Sequence, residues 1–145
     1  MSTQEAVNDA VARTAAIASL GGIALVHALQ SPEAFEETTY LGILFIGAIV
    51  ASLALAAILT RTSDQRTWSA AGALPALILL GYLLTRTSGL PGATSDVGEW
   101  TEPLALASLV TEGLLVCLTA GVLVTRHEPS GSRVETPERY AARPV

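Results

Sequence analysis

The chain carries four unbroken apolar stretches: about Val11 to Leu29, Tyr40 to Leu59, Trp68 to Leu84 and Pro103 to Val124. A helix needs about 20 mainly apolar residues to cross roughly 30 Å of hydrocarbon. Strands would need apolar and polar residues to alternate with period two over about ten residues in a closed barrel. These stretches are continuously apolar and rich in Ala and Leu, so each reads as a helix that satisfies its own backbone. Charged residues make up only 14% of the 145-residue chain, against about 25% in an average soluble domain. Too little polar material is present to coat four such helices in water. We therefore expect an all-α fold, a four-helix transmembrane bundle in the plasma membrane, crossing it several times.

The flanking charges set an orientation. Every basic residue is an Arg. Arg13 precedes the bulk of the first stretch, Arg61 and Arg66 lie between the second and third, and Arg126, Arg133, Arg139 and Arg143 follow the fourth. Arg86 alone falls on the other side. The positive-inside rule places both termini in the cytoplasm. Residues 1–10 then form a cytoplasmic segment, 11–125 the membrane domain, and 126–145 a polar tail without apolar periodicity, read as disordered. Trp68 is expected at the inner interface, and Tyr40 and Trp100 at the outer one. Arg13 and Val26-His27-Ala28 also fit a signal peptide, but Glu5 and Asp9 spoil its basic leader, so the first stretch is read as a span.

Lipid supplies no hydrophobic drive between helices, so small residues must permit close approach. Gly113, Cys117 and Gly121 stand four apart in the fourth stretch, as do Ala48, Ser52 and Ala56 in the second. Ala15, Ser19 and Gly22 offer a similar stripe in the first, and Gly72 and Ala76 in the third. Pro75 should bend the third helix near Ala71. Ser31 followed by Pro32 reads as the start of a short separate turn leading to the second helix.

Two groups of polar residues carry what chemistry the sequence offers. The first lies at the outer surface: His27, Glu33, Glu36 and Glu37, with Glu102 and the loop acids Asp96 and Glu99. One imidazole and several carboxylates are candidate ligands for a small molecule or a divalent metal. Arg86 is the candidate cation to pin this loop by pairing with Glu102, Glu36 or Glu37. The second group is Ser108 and Glu112, inside the fourth stretch. Glu112 lies nine positions past Pro103, roughly 13 Å along a helix and so close to the midplane. A charge there costs roughly 2.5–3.5 kcal/mol, so this carboxyl should be neutral or partnered, facing a neighbouring helix.

Other classes are excluded. The acidic chain, of net charge -5, has no basic patch for nucleic acid. The one Cys permits no internal disulfide. Haem through two His is ruled out because the second, His127, lies on the cytoplasmic side. There is no nucleotide-binding glycine fingerprint or His-Glu-x-x-His metal motif. No catalytic Ser-His-Asp set is legible. The expectation is a protein that is not an enzyme, with a binding or accessory role at the outer leaflet. The alternatives are a proton-coupled small transporter or channel acting as a homo-oligomer through Glu112, and a structural subunit of a larger membrane complex.

The order of polar residues also resembles a family of small four-span integral membrane proteins from high-GC Gram-positive bacteria. It is carried by His27, Pro32-Glu33-Ala34-Phe35-Glu36-Glu37, Leu41-Gly42 and Phe45. Arg86-Thr87-Ser88-Gly89-Leu90-Pro91, Glu102 and Glu112 complete it. The Arg-Thr-x-Gly-Leu-Pro element is its most specific part, and the likeness covers roughly His27 to Arg126. The family pattern often has a second His where Ala34 stands, a Gln near Ser52 and an Asp near Ser108. It commonly has a longer Gly-Pro run after the Leu-Pro. The resemblance implies a four-span fold and a membrane location without an established activity. If the family's site uses those polar residues, it implies a depleted site here.

Overall fold

The computed structural model describes residues 2–127, and the expected tail lies outside the described residues from position 128 onward. The described residues form four helices: α1 (Thr3–Glu37), α2 (Thr39–Leu59), α3 (Gln65–Thr87) and α4 (Pro103–His127). All four are long and apolar enough to cross a membrane. They form a ring in which each helix packs on the next and α4 returns to α1, with α2 and α3 the least closely packed neighbours.

The first helix departs most from expectation. It begins at Thr3, so residues 3–10 are helical and continuous with the first apolar stretch. The cause is a capping box: the Ser2 hydroxyl accepts from the Glu5 amide while the Glu5 carboxylate accepts from the Ser2 amide. At its other end α1 runs through Pro32 to Glu37 rather than breaking at Ser31. The Ser31 hydroxyl instead donates back to the His27 carbonyl, 2.7 Å away, so it pairs within α1 and caps no new helix. The chain then passes to α2 through the single extended residue Thr38, whose amide donates to the Ala34 carbonyl.

The bundle is built differently at its two ends. Toward the Arg126 end, Leu20, Ile23, Leu59, Trp68, Ala71 and Leu115 form a fully buried core. Trp68 is therefore packed inside the bundle rather than turned outward. It is 0% exposed, and its indole N–H donates to the Ser63 hydroxyl at 3.0 Å. An indole can be buried this way because its one polar group has found a partner. The Arg126 guanidinium stands over the indole ring, 5.6 Å from its centroid, and also donates to the Asp9 carboxylate at 2.9 Å. It thereby ties the last turn of α4 to the first turns of α1. Asp64 caps α3 by accepting from the Thr67 amide. That hydrogen bonding holds the Asp64 carboxyl below its usual range.

Small residues create the helix contacts, though not always on the expected stripe. A Cβ at Gly72 would lie 2.6 Å from the Thr119 hydroxyl, and one at Gly22 would lie 3.0 Å from the Thr111 methyl. These glycines let α3 and α1 approach α4. On α2, Ala48 and Ser52 are buried. By contrast Gly113 and Gly121 have nothing within 4 Å of such a Cβ, and Cys117 is exposed. The stripe on α4 faces away from the bundle because the polar face of the same helix, Ser108, Glu112 and Thr119, turns inward and is buried.

A candidate ligand cavity at the Arg86 end

At the opposite end the core gives way to a cavity of about 880 Å³. The segment between α3 and α4 folds over this end. Gly89, at φ 71°, terminates α3 in the left-handed region that glycine tolerates. Leu90-Pro91-Gly92-Ala93 then closes a turn, with the Leu90 and Ala93 backbones exchanging hydrogen bonds at 2.8 and 2.9 Å. Pro at the second position and a positive φ of 73° at Gly92 are what a type II turn requires. The turn seats Ala93 against Ala34 and Leu41, with Leu90 and Phe45 packed beside them. Two side chains hold it down: the Tyr40 hydroxyl donates to the Pro91 carbonyl at 2.9 Å, and the Ser95 hydroxyl donates to Glu37.

Arg86 anchors the same segment from α3. It is only 5% exposed, and its guanidinium reaches Asp96 at 3.0 Å and Glu102 at 2.9 Å. It stands over the Tyr82 ring, 5.3 Å from the centroid, and its own carbonyl accepts from the Gly98 amide. Two carboxylates thus face one buried cation. Glu102 also accepts from the Gln30 amide at 3.2 Å, which links α1 to the start of α4. Glu36 and Glu37, the other expected partners of Arg86, form no ion pair with it.

The polar residues singled out in the sequence line this cavity, Glu99 excepted. His27, Glu33, Glu36 and Glu37 come from α1, and Arg86 from α3. Glu102 precedes α4, and Ser108 and Glu112 lie on it. Lining the same space does not bring the metal candidates together. Among the described residues no three His, Cys, Asp or Glu side chains stand close enough to hold an ion. His27 is buried, its ring 4.9 Å from that of Phe45, and its Nδ1 lies 2.9 Å from the Ile23 carbonyl oxygen. A carbonyl only accepts, so Nδ1 carries the proton and Nε2 the lone pair when the ring is neutral.

Glu112 is 1% exposed and forms the deep end of the cavity. The Ser108 hydroxyl, one turn back on α4, donates to its Oε1 at 2.6 Å. The expectation was a partner on a facing helix; the partner is on its own helix, because an i,i+4 pair shares one face. Sequence reasoning also missed Gln30 and Tyr82 as parts of the site, and Asp96 as a partner of Arg86. Only Tyr82, one turn before Arg86, carried a local signal. Asp96 and Gln30 arrive through the fold of the loop and the length of α1.

The cavity walls are apolar. Leu41, Ile43, Leu44, Phe45 and Ala48 of α2 face Leu74, Leu77 and Ile78 of α3. Ile43, Leu44 and Leu77 line the cavity, each at least 60% exposed, where α2 and α3 are the least closely packed neighbours. The space therefore opens sideways between α2 and α3 as well as toward the loops. Compared with models of known protein families, with curated proteins and with solved structures, the chain matches none.

Proposed function

We propose that this is a multi-pass integral membrane protein, not an enzyme, that binds a small molecule in its α2–α3 cavity. Both termini lie in the cytoplasm of a plasma-membrane protein in this reading, which puts the Arg86 end in the outer leaflet. The single observation that carries it is the convergence of polar side chains from α1, α3, α4 and the loop before α4 on one space that α2 walls with apolar residues. Its size falls in the roughly 300–1,000 Å³ range of ligand sites. An accessory role at the outer leaflet follows, and the resemblance to the small four-span family supports the same architecture.

Gly81 tests the reading because it lines the cavity and has open space where a Cβ would stand. Gly81→Trp should fill the cavity without forcing helices apart. Gly21 has equal space but does not line it, so Gly21→Trp is the control. Native mass spectrometry of protein released gently from membranes should show a bound small molecule on the wild type and on Gly21→Trp. Gly81→Trp should lose it. Equal loading of all three proteins would show that the cavity is not the site.

The burial of Glu112 at the deep end favours a second reading, proton-coupled transport. A proton gradient across reconstituted vesicles should then drive accumulation of the bound molecule, and Glu112→Gln should abolish it while leaving binding intact. Binding without gradient-driven accumulation would leave the binding role alone.

A further inference from the structure

We propose that the cavity takes an amphiphile with a primary ammonium head, drawn from the outer leaflet through the gap between α2 and α3. This inference rests on the binding role above and names the chemical class of the ligand. Charge makes the first half of the argument. The two carboxylates facing Arg86 outnumber its charge and hold both terminal nitrogens, so the site stays net negative with only the Arg86 Nε–H unpartnered. Glu33, Glu36 and Glu37 line the cavity rim, and none of the three forms an ion pair among the described residues.

Their position makes that imbalance costly. They occupy the last turns of α1, where the helix dipole is negative and acidic side chains are unfavourable. Glu33 lies three and four residues from Glu36 and Glu37, the spacings at which like charges repel on one helix face. No basic residue stands in the last turn to relieve them. A cation seated over the three would satisfy both the dipole and the carboxylates. An ammonium with N–H donors suits carboxylate acceptors better than a quaternary head, which cannot hydrogen-bond.

The walls make the second half. A free polar cation would not need a slot lined by Leu44, Leu77 and Ile78, opened to the side by exposed Ile43 and Leu77. An apolar tail does, and lipid is where such a tail resides. The head at the Glu33 rim and the tail in the α2–α3 gap use both features at once.

The test uses the full-length protein in phosphatidylcholine nanodiscs, with melting temperature as the readout. Dodecylamine should raise the melting temperature saturably. Dodecyltrimethylammonium should need about tenfold higher concentration, or about 1.4 kcal/mol. Dodecyl sulfate and dodecyl maltoside should give no saturable rise, and neither should methylamine. Glu33→Gln combined with Glu36→Gln should slightly raise the ligand-free melting temperature, by removing repulsion, while weakening dodecylamine at least tenfold. A variant that merely folded badly would lower both. Discs that also contain phosphatidylethanolamine separate the sources of the amine: a loss of the dodecylamine response there identifies a lipid headgroup, and a retained response a free amphiphile. Equal responses to dodecyl sulfate or dodecyl maltoside would overturn the ammonium head while leaving the binding cavity standing. A methylamine response equal to that of dodecylamine would overturn the amphiphile. If dodecylamine is silent while Gly81→Trp still strips a bound molecule, the chemical class is wrong. If Gly81→Trp strips nothing, the binding role itself fails.

Discussion

Arg86→Ala is expected to destabilise the protein in detergent by about 3 kcal/mol, the low end of the range for removing one partner of a buried ion pair. The low end applies because the burial is one-sided. Arg86 is 5% exposed, but Asp96 and Glu102 keep 42% and 35% of their side-chain surface and can regain water once the cation is gone. Lost with the charge are the stack on Tyr82 and the hydrogen bond to the Asp96 carbonyl. Arg61→Ala is the control. Arg61 is exposed between α2 and α3, and a surface arginine of this kind contributes about 0–1 kcal/mol. Arg86→Lys should fall between them, since an ammonium lacks the planar fork that reaches two carboxylates together. Chemical unfolding of the three variants in one detergent gives the comparison. Equal midpoints for Arg86→Ala and Arg61→Ala would mean that Arg86 does not hold the loop over the cavity.

What could be read from the residues, and what could not, divides along physical lines. The four helices were legible because apolar length is a local quantity, and α2 and α4 start within a residue of where the apolar stretches begin. The convergence of His27, Arg86, Glu102 and Glu112 was open to inference in part, because alternating spans bring the ends of α1 and α3 to the starts of α2 and α4. The errors arose where a side chain outweighed a composition rule. Hydropathy started α1 late because it ignores the Ser2–Glu5 capping box, which was visible in the sequence and favours helix regardless of polarity. Ser31-Pro32 looked like a start signal, yet neither residue shows whether a preceding helix continues through it. The inward packing of Trp68 was missed, although Ser63 five positions earlier supplies the acceptor that allows it. The pairing of Asp96 with Arg86 was beyond reach: it depends on the turns at Gly89 and Gly92, ten residues of backbone that no periodicity describes.

The small-residue stripes yield the sharpest contrast, because one glycine of the same apparent kind sits in a seam and another in the open. Gly72→Leu should cost about 3 kcal/mol, the upper part of the overpacking range. Even the first carbon of the new side chain would lie 2.6 Å from the Thr119 hydroxyl and 3.1 Å from its Cβ. Thr119 has little freedom to yield: it is 2% exposed and its hydroxyl donates to the Leu115 carbonyl at 2.8 Å. The helices themselves must separate, and in lipid no hydrophobic drive restores the lost packing. Gly113→Leu, in a stripe that sequence spacing marks just as clearly, should cost nothing. It meets open space, and exchanging glycine for leucine inside a helix gains about 0.5–1 kcal/mol of backbone propensity. Unfolding of the two variants in the same detergent should therefore displace the midpoint in opposite directions. If Gly113→Leu is as damaging as Gly72→Leu, the outward face of α4 is covered by another chain in the folded protein. The stripe of Gly113, Cys117 and Gly121 would then be a contact between subunits, in keeping with the small-residue packing that its spacing suggests.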